Sequence, residues 1–113
     1  MKCGDIILVS FPFTDDSAAK VRPALVVSAD SFNTGEDIVV VPLSSVADTS
    51  GAFTLPIPQS SEHFKQSGLR RSSHVKWTKL LTITKRMAQR RLGRLAPPLL
   101  SEVHTRIRSM FPA

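Results

Sequence analysis

At 113 residues the chain is long enough for one hydrophobic core and too short for two, so a single domain over residues 1–113 is expected. Its lone cysteine, Cys3, excludes an intramolecular disulfide and fits a reducing cytoplasm. No apolar run approaches the roughly 20 residues of a membrane helix, and the first residues lack the features of a signal peptide. Charge is unevenly placed: of 15 Lys and Arg, ten fall between Lys65 and Arg94, a stretch without Asp or Glu. Such a block attracts polyanions, nucleic acid first and acidic protein second, unless it is only a solvated face.

Asp5–Phe11, Arg22–Ser28 and Asp37–Leu43 are short, rich in β-branched residues and bounded by Gly, Pro, Asp or Ser, so each predicts a strand. Their continuous apolar character predicts burial on both faces, as in a small barrel whose outside is covered by a helix or a second subunit. Phe53–Ile57 predicts a fourth strand, placed at an edge or bulge by Pro56. One or two helical turns are expected in Ser60–Gln66, and further strands at Ser73–Trp77, Leu80–Thr84 and Arg91–Leu95. The period then changes. Leu99, Leu100, Val103, Ile107, Met110 and Phe111 share a sector of roughly 120° at helical spacing, with Pro97 and Pro98 at the start where a missing N–H costs little. The expected fold is mainly β: a compact SH3-like antiparallel barrel with a C-terminal amphipathic α-helix.

Three segments in this order resemble the MazF/PemK toxins of type II toxin–antitoxin systems, whose barrel architecture the CcdB toxins share. They are Gly4-Asp5-Ile6-Ile7-Leu8-Val9 leading to Phe11-Pro12-Phe13-Thr14, then Arg22-Pro23-Ala24-Leu25-Val26-Val27-Ser28, then Val41-Pro42-Leu43-Ser44-Ser45. Gly68-Leu69-Arg70-Arg71-Ser72 and Arg91-Leu92-Gly93-Arg94-Leu95 extend the likeness over nearly the whole chain. The resemblance implies a homodimer and a cytoplasmic endoribonuclease, neutralised by an acidic antitoxin protein. It would cut single-stranded RNA by attack of the ribose 2′-OH on the adjacent phosphorus, with no cofactor, no metal and no membrane partner. Such chemistry needs a group to take the 2′-OH proton, one to protonate the leaving oxygen, and donors for the charge building on phosphate.

Arg22 matches the family's functional arginine; its planar guanidinium can hold two phosphate oxygens, although an isolated arginine at a strand start is usually just a surface residue. Ser44 falls where the family usually carries a threonine, and it keeps the hydroxyl donor; loop capping is the commoner fate of such a serine. Phe11, Thr14, Lys20, Ser45, Arg70 and Arg71 are the expected RNA contacts, Phe11 by stacking on an unpaired base and the basic residues through phosphates. Core packing is the plainer expectation for Phe13, and a core or interface anchor for Trp77.

The chain also departs from the family. No glutamate precedes Arg22-Pro23, and Ser72-Ser73-His74 stands where PemK-like members have an aspartate. The proton-transfer groups therefore stay unassigned, with His74, Asp15 and Asp16 as candidates. Three scattered histidines and one cysteine lack metal-ligand spacing, and no phosphate loop, catalytic triad order or redox cysteine pair is present. Two other classes remain open: a CcdB-like protein that poisons an enzyme by binding it, and a non-catalytic nucleic-acid-binding barrel.

Overall fold

Asp5–Phe11 forms the first strand (β1) with the boundaries that its apolar run predicts. In this computed structural model, which describes residues 1–11, 20–45 and 52–113, six more strands follow. They are β2 (Lys20–Val26), β3 (Asp37–Ser44), β4 (Leu55–Ile57), β5 (Ser73–Val75), β6 (Leu81–Thr84) and β7 (Ala88–Arg94). A single helical turn, α1 (Phe64–Ser67), sits between β4 and β5, and α2 (Pro97–Arg108) ends the fold. All pairings are antiparallel, in the order β4-β5-β3-β2-β1-β7, with β6 also on β3. The mainly β architecture with a C-terminal helix is as the sequence predicts, and Pro56 lies on edge strand β4.

The central strands do bury both faces. Ile6, Leu25, Val41, Leu43, Val75 and Trp77 form one core, closed by Val103 of α2 and by Leu99, Leu100, Ile107 and Met110 packed around it. Ile7, Val9, Ala24, Val26, Ile38 and Val40 form a second core with Ile83 of β6, against which Leu81, Met87 and Ala88 pack. The second face is thus covered by the same chain, and its burial makes no demand for a second subunit. Phe111 departs from expectation: it lies beyond the end of α2 and is 58% exposed. The last strand begins three residues earlier than its apolar residues predict, at Ala88, because Ala88 and the polar Arg90 pair with Val9 and Leu8 of β1.

β4 and β7 end the pairing order, and α1 packs on β7 in place of a strand pair. Two glycines meet there. Gly68 caps α1 in the left-handed region (φ 72°), and a Cβ on it would lie 2.1 Å from the Leu92 carbonyl oxygen; a Cβ on Gly93 would lie 2.3 Å from the Gln66 carbonyl oxygen. Backbone cannot yield as a flexible side chain can. Gly68→Ala and Gly93→Ala should each destabilise the protein by about 2–3 kcal/mol or more, read as a fall in urea midpoint. Gly35→Ala, whose added carbon would sit an ordinary 3.6 Å from its nearest neighbour, should stay within about 0.5 kcal/mol of the parent.

Candidate active site

A proline opens the site. Backbone groups alternate sides along a strand, and Val27 N–H donates to the Val39 carbonyl at 3.0 Å, so Leu25 and Pro23 also turn their backbone towards β3. Proline has no N–H to give. The β2–β3 ladder accordingly stops at Ala24 opposite Pro42, and beyond it β3 pairs with β5 through Leu43–Val75 and Ser44–His74. Had the register continued, Arg22 would face Ser44. The two instead both line a cleft of about 540 Å³.

Leu8, Pro23, Leu43, Leu69 and Leu92 give this cleft an apolar floor. Arg22, Arg70, Arg71 and Arg90 supply guanidinium groups around it, and Ser44, Ser45 and Ser73 supply hydroxyls. Among the described residues no acidic side chain lines it, and no carboxylate pairs with any of the four arginines. The segment bearing Arg70 and Arg71 is held through its backbone and its serines. Gln59 N–H donates to Ser72 Oγ at 2.8 Å, the Gln59 side-chain amide donates to the Arg70 carbonyl at 3.4 Å, and Ser73 Oγ donates to the Arg71 carbonyl at 2.9 Å. Both guanidiniums stay exposed to solvent. Such a cleft can accept an anion on its rim and a flat apolar group on its floor.

Of the residues singled out in the sequence, Arg22, Ser44, Ser45, Arg70 and Arg71 come together here. Lys20 is exposed at the start of β2 but does not line the cleft. The Phe11 backbone ends β1, while its side chain, together with Phe13, Thr14, Asp15 and Asp16, lies outside the described residues. His74 sits on β5 beside Ser44 in register, yet it does not line the cleft, and its Nδ1 is buried without a hydrogen-bond partner. Trp77 is a core residue, as the plainer expectation has it. Arg90 is not among the residues singled out in the sequence: it is one of an adjacent pair with Arg91, and nothing local distinguishes the two.

The other chemistry-bearing groups have structural partners. His104 Nε2–H donates to the Val27 carbonyl at 2.9 Å, so that nitrogen is not free to take a proton from Cys3, whose Sγ lies 3.7 Å away. Burial, then the charge of Asp30, pushes the Cys3 thiol above its ordinary pKa, the opposite of what a nucleophile needs. His63 Nε2 lies 3.3 Å from the Glu62 carboxylate. Among the described residues no three His, Cys, Asp or Glu gather as a metal site would require, and no helix is long and apolar enough to cross a membrane.

The fold is that of the MazF-type toxins. The Mycobacterium tuberculosis toxin MazF-mt6 is similar with a TM-score of 0.73 at 18% identity, over 93% of each chain. An endoribonuclease in complex with its cognate antitoxin from Mycobacterial species gives 0.76 at 18%, over 100% of this chain and 98% of that one. MazF in a MazE–MazF complex from Deinococcus radiodurans gives 0.74 at 21%, over 97% and 94%. No curated protein sequence matches. The family model of the PemK-like, MazF-like toxins of type II toxin–antitoxin systems matches residues 2–111, and the chain belongs to that family.

The basic block divides into two roles that mutation can separate. Arg91 and Arg94 approach the buried Asp5 carboxylate at 3.1 and 3.8 Å, and Lys2 N–H donates to its other oxygen at 2.9 Å. Removing the nearer guanidinium leaves that carboxylate short of a partner, so Arg91→Ala should lower unfolding free energy by about 1–2 kcal/mol. Arg90→Ala, one residue away, should change it by no more than about 0.5 kcal/mol in the same denaturation experiment.

Proposed function

We propose that the chain acts as one toxin domain, a cytoplasmic, sequence-specific endoribonuclease that cuts single-stranded RNA without a metal ion. The observation that carries this reading is the union of Arg22 and Ser44 with Arg70 and Arg71 around one cleft whose described lining holds no acid. In the reaction the ribose 2′-oxygen forms a bond to phosphorus as the bond from phosphorus to the 5′-oxygen breaks. The 2′-OH loses its proton, the leaving oxygen gains one, and the ends are a 2′,3′-cyclic phosphate and a 5′-hydroxyl. Arg22 holds the phosphate oxygens as negative charge accumulates, and Ser44 adds a neutral donor. Arg70 and Arg71 hold the strand through its phosphates, with Lys20, Ser45, Phe11 and Thr14 as further contacts. Fixed donors aimed at developing charge accelerate a step without reorganising during it.

Purified protein incubated with RNA in EDTA, with the ends mapped, tests the reading directly. Arg22→Ala should slow cleavage far more than it weakens binding: a lost charge-assisted contact in the transition state costs on the order of 3–4 kcal/mol, or roughly a hundredfold or more in rate. Ser44→Ala should cost less. RNA with hydrogen in place of the scissile 2′-OH should bind and stay intact, because the nucleophile belongs to the substrate. Parental rates for Arg22→Ala, or cleavage of the 2′-deoxy substrate, would remove the mechanism. Binding to a protein target with no RNA cut would favour the enzyme-poisoning class.

The family pairing extends the proposal to a homodimer and to an antitoxin with an acidic segment that is disordered alone and folds along the basic surface. Charge supports the second partner, since the arginines that would hold RNA attract any extended polyanion, and a wide charged contact can offset the entropy lost on ordering. Sedimentation at micromolar concentration should find twice the 12.4 kDa of the chain. The neighbouring gene product should bind the protein and block cleavage, more weakly as salt rises. A monomer, or a neighbour that does neither, would count against that partner.

A further inference from the structure

β7 pairs with β1 in a register that slips twice. Leu8 faces Arg90 and Val9 faces Ala88, which leaves Gln89 as an extra residue; Ile7 faces Arg91 and Ile6 faces Gly93, which leaves Leu92 as another. A bulge of this kind adds a residue without a partner and re-aims the side chains beyond it. Strict alternation along β7 would put Arg90 and Arg94 on one face and Arg91 on the other. With Leu92 inserted, Arg91 and Arg94 both fall on the side of Asp5 and approach its carboxylate. Arg90 falls with its partner Leu8 in the cleft, where no described carboxylate neutralises it.

Leu8 also faces Pro23 on its other edge. Arg90 and Pro23 therefore flank Leu8 from either side, across two strand spacings or about 10 Å, and Arg22, next to Pro23 and paired with Val9, lines the same cleft. The ground between them is apolar. Both arginines are exposed and long, so their guanidiniums can lean over that floor towards neighbouring phosphates. We propose, on the reading of the cleft as an RNA-cleaving site, that Arg90 holds a phosphate next in the strand to the one being cut. Arg22 and Arg90 then bracket one nucleotide, whose unstacked base rests on Leu8, Pro23 and Leu43. The substrate class follows: an unpaired strand carrying a phosphate beside the scissile one, because a duplex would keep that base in its stack.

The test couples one side chain to one phosphate. Mapping of natural RNA first fixes the cut site; a 2′-deoxy analogue of that sequence is then made with either flanking linkage replaced by a neutral methylphosphonate. Binding to the parent protein and to Arg90→Ala is read by fluorescence anisotropy. Neutralising one of the two linkages should weaken parent binding about tenfold, the effect of one charge-assisted contact. The same change should matter about twofold or less to Arg90→Ala, which has already lost the partner. Arg90→Ala should also flatten the dependence of log affinity on log salt by about 0.7, the share of one phosphate contact on a single strand. Independent, additive losses at both linkages, or parental affinity in Arg90→Ala, would overturn the assignment while leaving the cleft's activity standing. Natural RNA left uncut by the parent would overturn the reading of the cleft, and the assignment with it.

Discussion

A β-strand has two hydrogen-bonding edges, yet β3 serves three neighbours, and the way it divides them shapes the molecule. One edge meets β2 through Val40, Val41 and Pro42; the other is shared between β6, which takes Asp37–Val40, and β5, which takes Leu43 and Ser44. Pro42 stands at the handover. Its carbonyl accepts from Lys76 N–H at 3.0 Å, and its missing N–H falls on that same side, between the end of one ladder and the start of the next. Pro23 does the corresponding thing on β2. Two prolines that would be faults in the middle of a regular sheet here mark the places where ladders end, and the parting at Pro23 is the cleft.

Charge is sorted by the same backbone devices. Ten cations in a run without acids read as a uniform block, but side-chain direction breaks the block up. Asp5, buried in β1, draws Arg91 and Arg94 to its side of the sheet. Arg70 and Arg71 reach the cleft because Gly68 and Gly93 let the turn after α1 press against β7. Concentrating cations in a concave site raises its local potential well above what net charge alone would suggest. Position, more than count, makes the cleft attractive to an anion.

The strands and the terminal helix were legible because their signals are local. Gly4 ahead of a β-branched run, Pro97 and Pro98 ahead of a helical period, and Pro56 in a short apolar segment each act within a few residues. Arg22, Ser44, Arg70 and Arg71 were legible through resemblance to a family, which supplied residue identities but no geometry. What stayed hidden is non-local. The start of β7 at Ala88 depends on pairing with β1, since Gln89, Arg90 and Arg91 carry no apolar alternation. The side to which Arg90 points depends on a bulge that no residue pattern announces. The second cover for the central strands is likewise supplied from a distance, by Ile83, Leu81 and Met87, where the sequence left open a helix or another subunit.

Four guanidiniums around one open cavity repel one another, and nothing acidic in the described lining offsets this. The repulsion is bearable because all four side chains are exposed, where water and salt screen it to a fraction of a kcal/mol per pair. The fold does not rely on them. Its stability resides in two apolar cores on either side of the central strands, whose members Ile6, Leu25, Val26, Val40 and Val41 are fully buried. An anion seated at the cationic rim therefore relieves repulsion as well as making contacts. Binding any such polyanion must then raise the stability of the folded chain, since the unfolded chain has the charges but not their arrangement.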